Sequence, residues 1–116
     1  MESLELANQI AEIIVDKQGE DILLLDLREV TTFTDYFIIS SGTSNRHLNA
    51  LQNAIREGLK KQDSRVLAQS VEGNAETGWV LMDFSSVIVH LFTPETRTYY
   101  DLESLWKSGR TITRIQ

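Results

Sequence analysis

Three groups of residues have the types and spacing of chemistry. Gly42-Thr43-Ser44 follows the short apolar run Tyr36–Ser41 and opens a helix. Such a junction aims backbone N–H groups and the positive end of a helix dipole at one spot, as phosphate-binding turns do. Asp101 and Glu103 are carboxylates separated by one residue, the local pattern with which metal-dependent nucleotidyl transfer clamps two magnesium ions. His47 and His90 are the two histidines of the chain, the side chains suited to moving protons near neutral pH.

The elements that must position these groups do not support catalysis. A magnesium pair belongs on the strand after the helix, where alternate residues face the same way, and that segment, Arg65 to Val71, holds no acid. Asp101-Leu102-Glu103 lies far downstream in what reads as a helix, where residues two apart diverge. Ser44 is therefore read as a helix N-cap. No Gly-x-Ser-x-Gly occurs, and neither histidine has a context that assigns it a base role. His47, three residues after Ser44, is read as a surface capping contact. His90 sits in an apolar strand. An even-numbered hairpin loop places it beside Trp79, Leu81, Asp83, Ile88 and Phe92, and an odd-numbered one beside Val80 and Met82. A core histidine satisfied by a carboxylate or carbonyl is the first reading, and contact with a partner the second.

The 116 residues suit one domain with a single core. No cysteine is present, which removes disulfides and thiolate metal sites together, and two histidines cannot build a metal cage. No metal or cofactor is expected. Without an apolar run of membrane-spanning length, and with the acidic start Met1-Glu2-Ser3-Leu4-Glu5, the chain is expected to be cytoplasmic. The net charge is −6, unevenly spread. Residues 107–116 carry Lys107, Arg110 and Arg114 and no acid, so the remainder sets eight basic residues against seventeen acidic ones. An acidic body argues against nucleic acid, which rewards clustered Lys and Arg, and toward a basic protein partner.

Ser3 is expected to cap a helix with Leu4, Ala7, Ile10, Ala11, Ile14 and Val15 at helical spacing, ending near Gln18-Gly19. Ile22–Leu27 reads as a strand covered on both faces and Tyr36–Ser41 as a second. A helix follows Ser44 to about Gln62 with Leu48, Leu51, Ile55 and Leu59 inward. Arg65–Val71 has strand character, Glu72–Gly78 reads as a turn-rich loop, and Trp79–Asp83 with Val87–Phe92 makes a hairpin. Pro94 starts a short helix carrying Arg97, Tyr99, Tyr100 and Leu102 toward Leu105 and Trp106. The basic segment 107–116 is expected to be a mobile tail or to lie along the sheet. The fold class is α+β, a mixed sheet flanked by helices.

Several blocks resemble one family: Asp35-Tyr36-Phe37, Ser41-Gly42-Thr43-Ser44-Asn45-Arg46-His47, Glu72-Gly73, Gly78-Trp79-Val80-Leu81-Met82-Asp83, Val87–Phe92, and Arg97-x-Tyr99-Tyr100-Asp101-Leu102-Glu103-x-Leu105-Trp106. In this order they resemble the Iojap-like ribosomal silencing factors of bacteria and organelles, from Leu4 to Trp106. The resemblance implies a nucleotidyltransferase-like fold without catalysis, spanning 1–106. It further implies docking on the large ribosomal subunit through ribosomal protein L fourteen, steric blockage of subunit joining, and a homodimer off the ribosome.

A partner surface is expected on Trp79, Asp83 and His90 of the hairpin with Tyr99, Tyr100, Asp101, Glu103 and Trp106 of the closing helix. Aromatic rings suit interface centres because they bury large area with few rotatable bonds, and acids at the rim steer encounter. Part of the same aromatic set is expected to build core instead.

Overall fold

The computed structural model describes residues 2–62, 68 and 70–115. A six-stranded mixed sheet runs β3-β4-β5-β2-β1-β6, formed by β1 (Glu20–Asp26), β2 (Tyr36–Ser41), β3 (Ser70–Asn74), β4 (Trp79–Asp83), β5 (Val87–Phe92) and β6 (Arg110–Ile115). Only β2 and β5 pair in parallel; the other neighbours are antiparallel. The long helices α1 (Ser3–Asp16) and α2 (Asn45–Gln62) cover one face.

The main core lies between that face and the two helices. In α1 the buried stripe is Leu6, Ala7, Ile10, Ala11 and Ile14, a helical repeat facing the sheet. Leu4 and Val15, expected in that stripe, are exposed because both fall on its flank beyond Ala11. The helix also begins one residue earlier than expected: Glu2 is the N-cap and its side chain makes no capping bond, so Ser3 is already helical. It ends at Asp16, and the Gly19 N–H returns to the Ile14 carbonyl at 2.8 Å. Helix α2 buries Leu48, Leu51, Ile55 and Leu59, the expected set. β1 and β2 are buried on both faces because Ile22, Leu24, Tyr36 and Ile38 point to the helices while Leu23, Leu25, Phe37 and Ile39 enter a second cluster opposite.

Several expectations are resolved at the end of the sheet and the chain. Glu72, Gly73 and Asn74 belong to β3 rather than to a loop, because they pair with β4 in register, Glu72 opposite Leu81. The strand expected over Arg65–Val71 falls partly on 65–67 and 69, outside the described residues; Ser70 and Val71 open β3. The closing helix is two: α3 (Pro94–Tyr100) stops at Asp101, whose left-handed φ of 48° ends its hydrogen bonding, and α4 (Leu102–Leu105) starts anew. Segment 107–116 contains β6, which pairs along β1 with Arg110 opposite Asp26 and Arg114 opposite Leu23.

Candidate functional site

The sheet face opposite the long helices carries the sequence-predicted residues. Its floor is Leu23, Leu25, Leu27, Phe37, Ile39, Ile88 and Phe92, and Trp79, Leu81, Leu102 and Trp106 pack on it. Strand register sets which hairpin residues arrive there. Trp79 opposes Phe92, Leu81 opposes His90 and Asp83 opposes Ile88, so the even-numbered alternative holds and His90 lies on the Trp79 face.

His90 is 3% exposed and so supports this surface from beneath instead of touching a partner. Its satisfaction is not the carboxylate or carbonyl expected. The indole N–H of Trp79 donates to Nδ1 at 3.3 Å, which makes Nδ1 an acceptor and places the ring proton on Nε2. Nε2 is buried with no hydrogen-bond partner among the described residues. Burial disfavours the imidazolium and lowers the pKa to about 4, so the ring is neutral at physiological pH.

Rings extend from His90 in both directions as one row. Phe37 lies 4.6 Å from His90, Trp106 5.3 Å from Phe37, and Phe33 5.6 Å from Trp106. On the other side Trp79 is 6.0 Å from His90, Tyr100 4.7 Å from Trp79, and Tyr99 5.0 Å from Tyr100. Tyr99 is 81% exposed, Leu105 73%, Phe33 54% and Tyr100 50%. A folded domain gains nothing in its own core from large apolar side chains held in water, and such patches mark contact surfaces. Trp79 and Trp106 are half-buried and belong to both core and surface.

The acids divide by what they touch. Arg97, 6% exposed, donates through its guanidinium to both Glu103 carboxylate oxygens at 3.0 and 3.2 Å, to the Asp21 carbonyl and to Ser41 Oγ at 2.9 Å. Glu103 is thus committed to a buried guanidinium that pins α3 and α4 to β1 and β2. Asp83 accepts from the Ser85 N–H at 2.7 Å and holds the β4–β5 turn. Asp101 is exposed and accepts from Ser104 Oγ at 2.6 Å. The structure gathers Trp79, His90, Tyr99, Tyr100 and Trp106 in one row and adds Phe33, which the sequence reading did not single out; Leu105, read there only as part of the closing helix, is exposed. The sequence reading also missed Arg97 as the anchor; an arginine two residues before a Tyr-Tyr pair carries no local sign of burial.

The helix-start turn is used structurally. Ser44 Oγ accepts from the His47 N–H at 3.1 Å, the expected cap, and the Gly42 N–H goes to the Phe92 carbonyl at 2.8 Å. His47 Nδ1 accepts from the Thr43 N–H at 2.9 Å, and its Nε2–H donates to the Lys17 carbonyl at 2.8 Å, tying α2 to the end of α1. A Cβ on Gly42 would stand 2.9 Å from the Leu48 side chain, so the turn is packed tightly against its own helix. Among the described residues no group of three or more His, Asp or Glu is placed to hold a metal ion, and no helix is long and apolar enough to cross a membrane.

Comparison with known proteins agrees with this geometry. A family model described as "Ribosomal silencing factor during starvation" matches residues 1–116. A ribosomal silencing factor of Chromobacterium violaceum is 36% identical over 106 residues, covering 91% of this chain and 85% of that protein. The mouse protein named "Mitochondrial assembly of ribosomal large subunit protein 1" is 34% identical over 103 residues, 85% of this chain and 44% of its own length. A crystal structure of a Chromobacterium violaceum protein superposes with a TM-score of 0.86 at 34% identity, covering all of this chain and 94% of that one. Six sheet strands, two long helices and the closing α3–α4 segment are thus the fold of a known group, and the chain belongs to the ribosomal silencing factor family.

Proposed function

We propose that the chain binds the large ribosomal subunit through ribosomal protein L fourteen and, by occupying the face where the small subunit must sit, blocks subunit joining and represses translation. The observation that carries this reading is the row of rings ending in Tyr99 and Phe33, exposed on a chain of net charge −6. Ring area supplies the centre of a contact, and acids around it favour a basic ribosomal protein. The name of the mouse relative, which refers to assembly of the large subunit, supports the choice of subunit.

Repression on this reading needs no turnover. A body of 34 × 31 × 24 Å seated on an interface excludes its neighbour, and the extent of blockage follows occupancy. The test mixes the chain with purified large subunits and with isolated L fourteen, then adds small subunits and follows 70S particles on sucrose gradients. Binding to both, with 70S particles falling as occupancy rises, is the expected result. Normal 70S formation at saturating chain overturns the blockage, and binding to large subunits without binding to L fourteen moves the contact elsewhere.

A further inference from the structure

The Glu72-Gly73 pair has no part in the surface described so far, yet it forms one wall of a groove of about 290 Å³ together with Thr77, Trp79, Leu81 and Tyr100. We propose that this groove is a receptor for one arginine side chain of the basic partner, an assignment that rests on the partner reading above. Its size suits a single extended side chain.

The chemistry of the walls selects a flat cation. Trp79 and Tyr100 pack on each other at 4.7 Å and 47°, and the half-exposed Tyr100 and the outer part of the indole line the groove where a guanidinium would enter between β3, β4 and α3. Glu72 opposes Leu81, and Asn74 opposes Trp79. Side chains therefore alternate so that the exposed Glu72 carboxylate lies on the same face as the indole, one diagonal step away. A planar guanidinium can lie on a ring and still present N–H groups to a carboxylate, which an ammonium does less well. A phosphate would meet the Glu72 charge, so a nucleic acid is disfavoured here.

The groove is built before any partner arrives. The Trp79 indole is held by its hydrogen bond to buried His90 and stacks on Phe92 at 5.0 Å and 29°. Gly73 adopts a φ of +72°, and a Cβ there would stand 2.3 Å from the Trp79 carbonyl oxygen. Only glycine lets β3 pass this close to Trp79 without strain. A preformed receptor loses little side-chain freedom on binding.

Two arms test the assignment. In the first, binding to large subunits is measured for the unaltered chain, Glu72→Gln and Tyr100→Ala, both changes being at exposed positions. A loss of about tenfold in each, with weaker salt dependence in Glu72→Gln, is expected; unaltered affinity in both, while the parent binds, overturns the groove and leaves the partner reading standing. In the second, the Trp79 indole N–H resonance, identified against Trp106→Phe, is followed during titration with N-acetyl-arginine amide and with its citrulline analogue. A shift with the arginine compound alone supports the receptor. Equal shifts or none overturn it, and this arm decides even where the parent chain fails to bind large subunits.

Discussion

The Trp79 indole N–H and His90 Nδ1 meet at 3.3 Å across two neighbouring strands, joining a half-buried surface ring to a buried base. The bond requires a neutral acceptor, and burial keeps His90 neutral down to about pH 4. In the unfolded chain the same imidazole titrates near 6.5. Between those values the unfolded state binds the extra proton, so stability is complete above about pH 6.5 and falls as pH drops toward 4. The loss amounts to at most about 3 kcal/mol. Urea unfolding across pH 4 to 7.5 should show this decline in the parent and a flatter profile in His90→Asn.

Arg97 holds α3 and α4 on the sheet through Glu103, Ser41 and the Asp21 carbonyl. Removing the guanidinium strands Glu103 and leaves those acceptors without their donor. Arg97→Met should cost about 3 kcal/mol, in the range for breaking a buried pair from one side. Thermal unfolding measures it; a cost below about 0.5 kcal/mol would deny Arg97 the anchoring role.

Tyr99 and Asp101 are the members of the expected surface least used by the fold. Tyr99→Ala should leave stability within about 0.5 kcal/mol. Asp101→Asn, which removes the charge and tolerates a left-handed φ, should do the same. Both should weaken binding to large subunits, Tyr99→Ala by about tenfold and Asp101→Asn more at low salt than at high. Co-sedimentation at two ionic strengths gives both numbers. Reversal at Glu103 is a poor probe of the surface because it attacks the Arg97 anchor.

Truncation after Gly109 should remove more than charge. β6 pairs with β1 from Ile22 to Asp26, and Arg114 reaches Asp21 at 3.0 Å. Deleting the strand leaves the outer edge of β1, opposite β2, unpaired and should lower stability by about 2 kcal/mol or more through lost ladder bonds. Denaturant midpoints of the full and shortened chains measure this, and equal midpoints would show that β6 adds nothing.

Local patterns made much of this molecule legible. β2, α2, β4 and β5 follow from apolar periodicity and from Ser44 as a cap, because each depends on residues within four positions of one another. The aromatic residues of the last third were legible as a group, and the structure places Trp79, Tyr99, Tyr100 and Trp106 in one row of rings. What only the tertiary structure decided is long-range. The left-handed Asp101 splits the closing helix, and Arg97 bonds both Glu103 and the Asp21 carbonyl, 76 residues away. β3 and β6 are strands because β4 and β1 offer them edges, although neither has a buried stripe of its own. Which rings face water was settled by register and by what covers them. The spacing of Phe33, Phe37, Tyr99 and Trp106 along the chain holds no information about either.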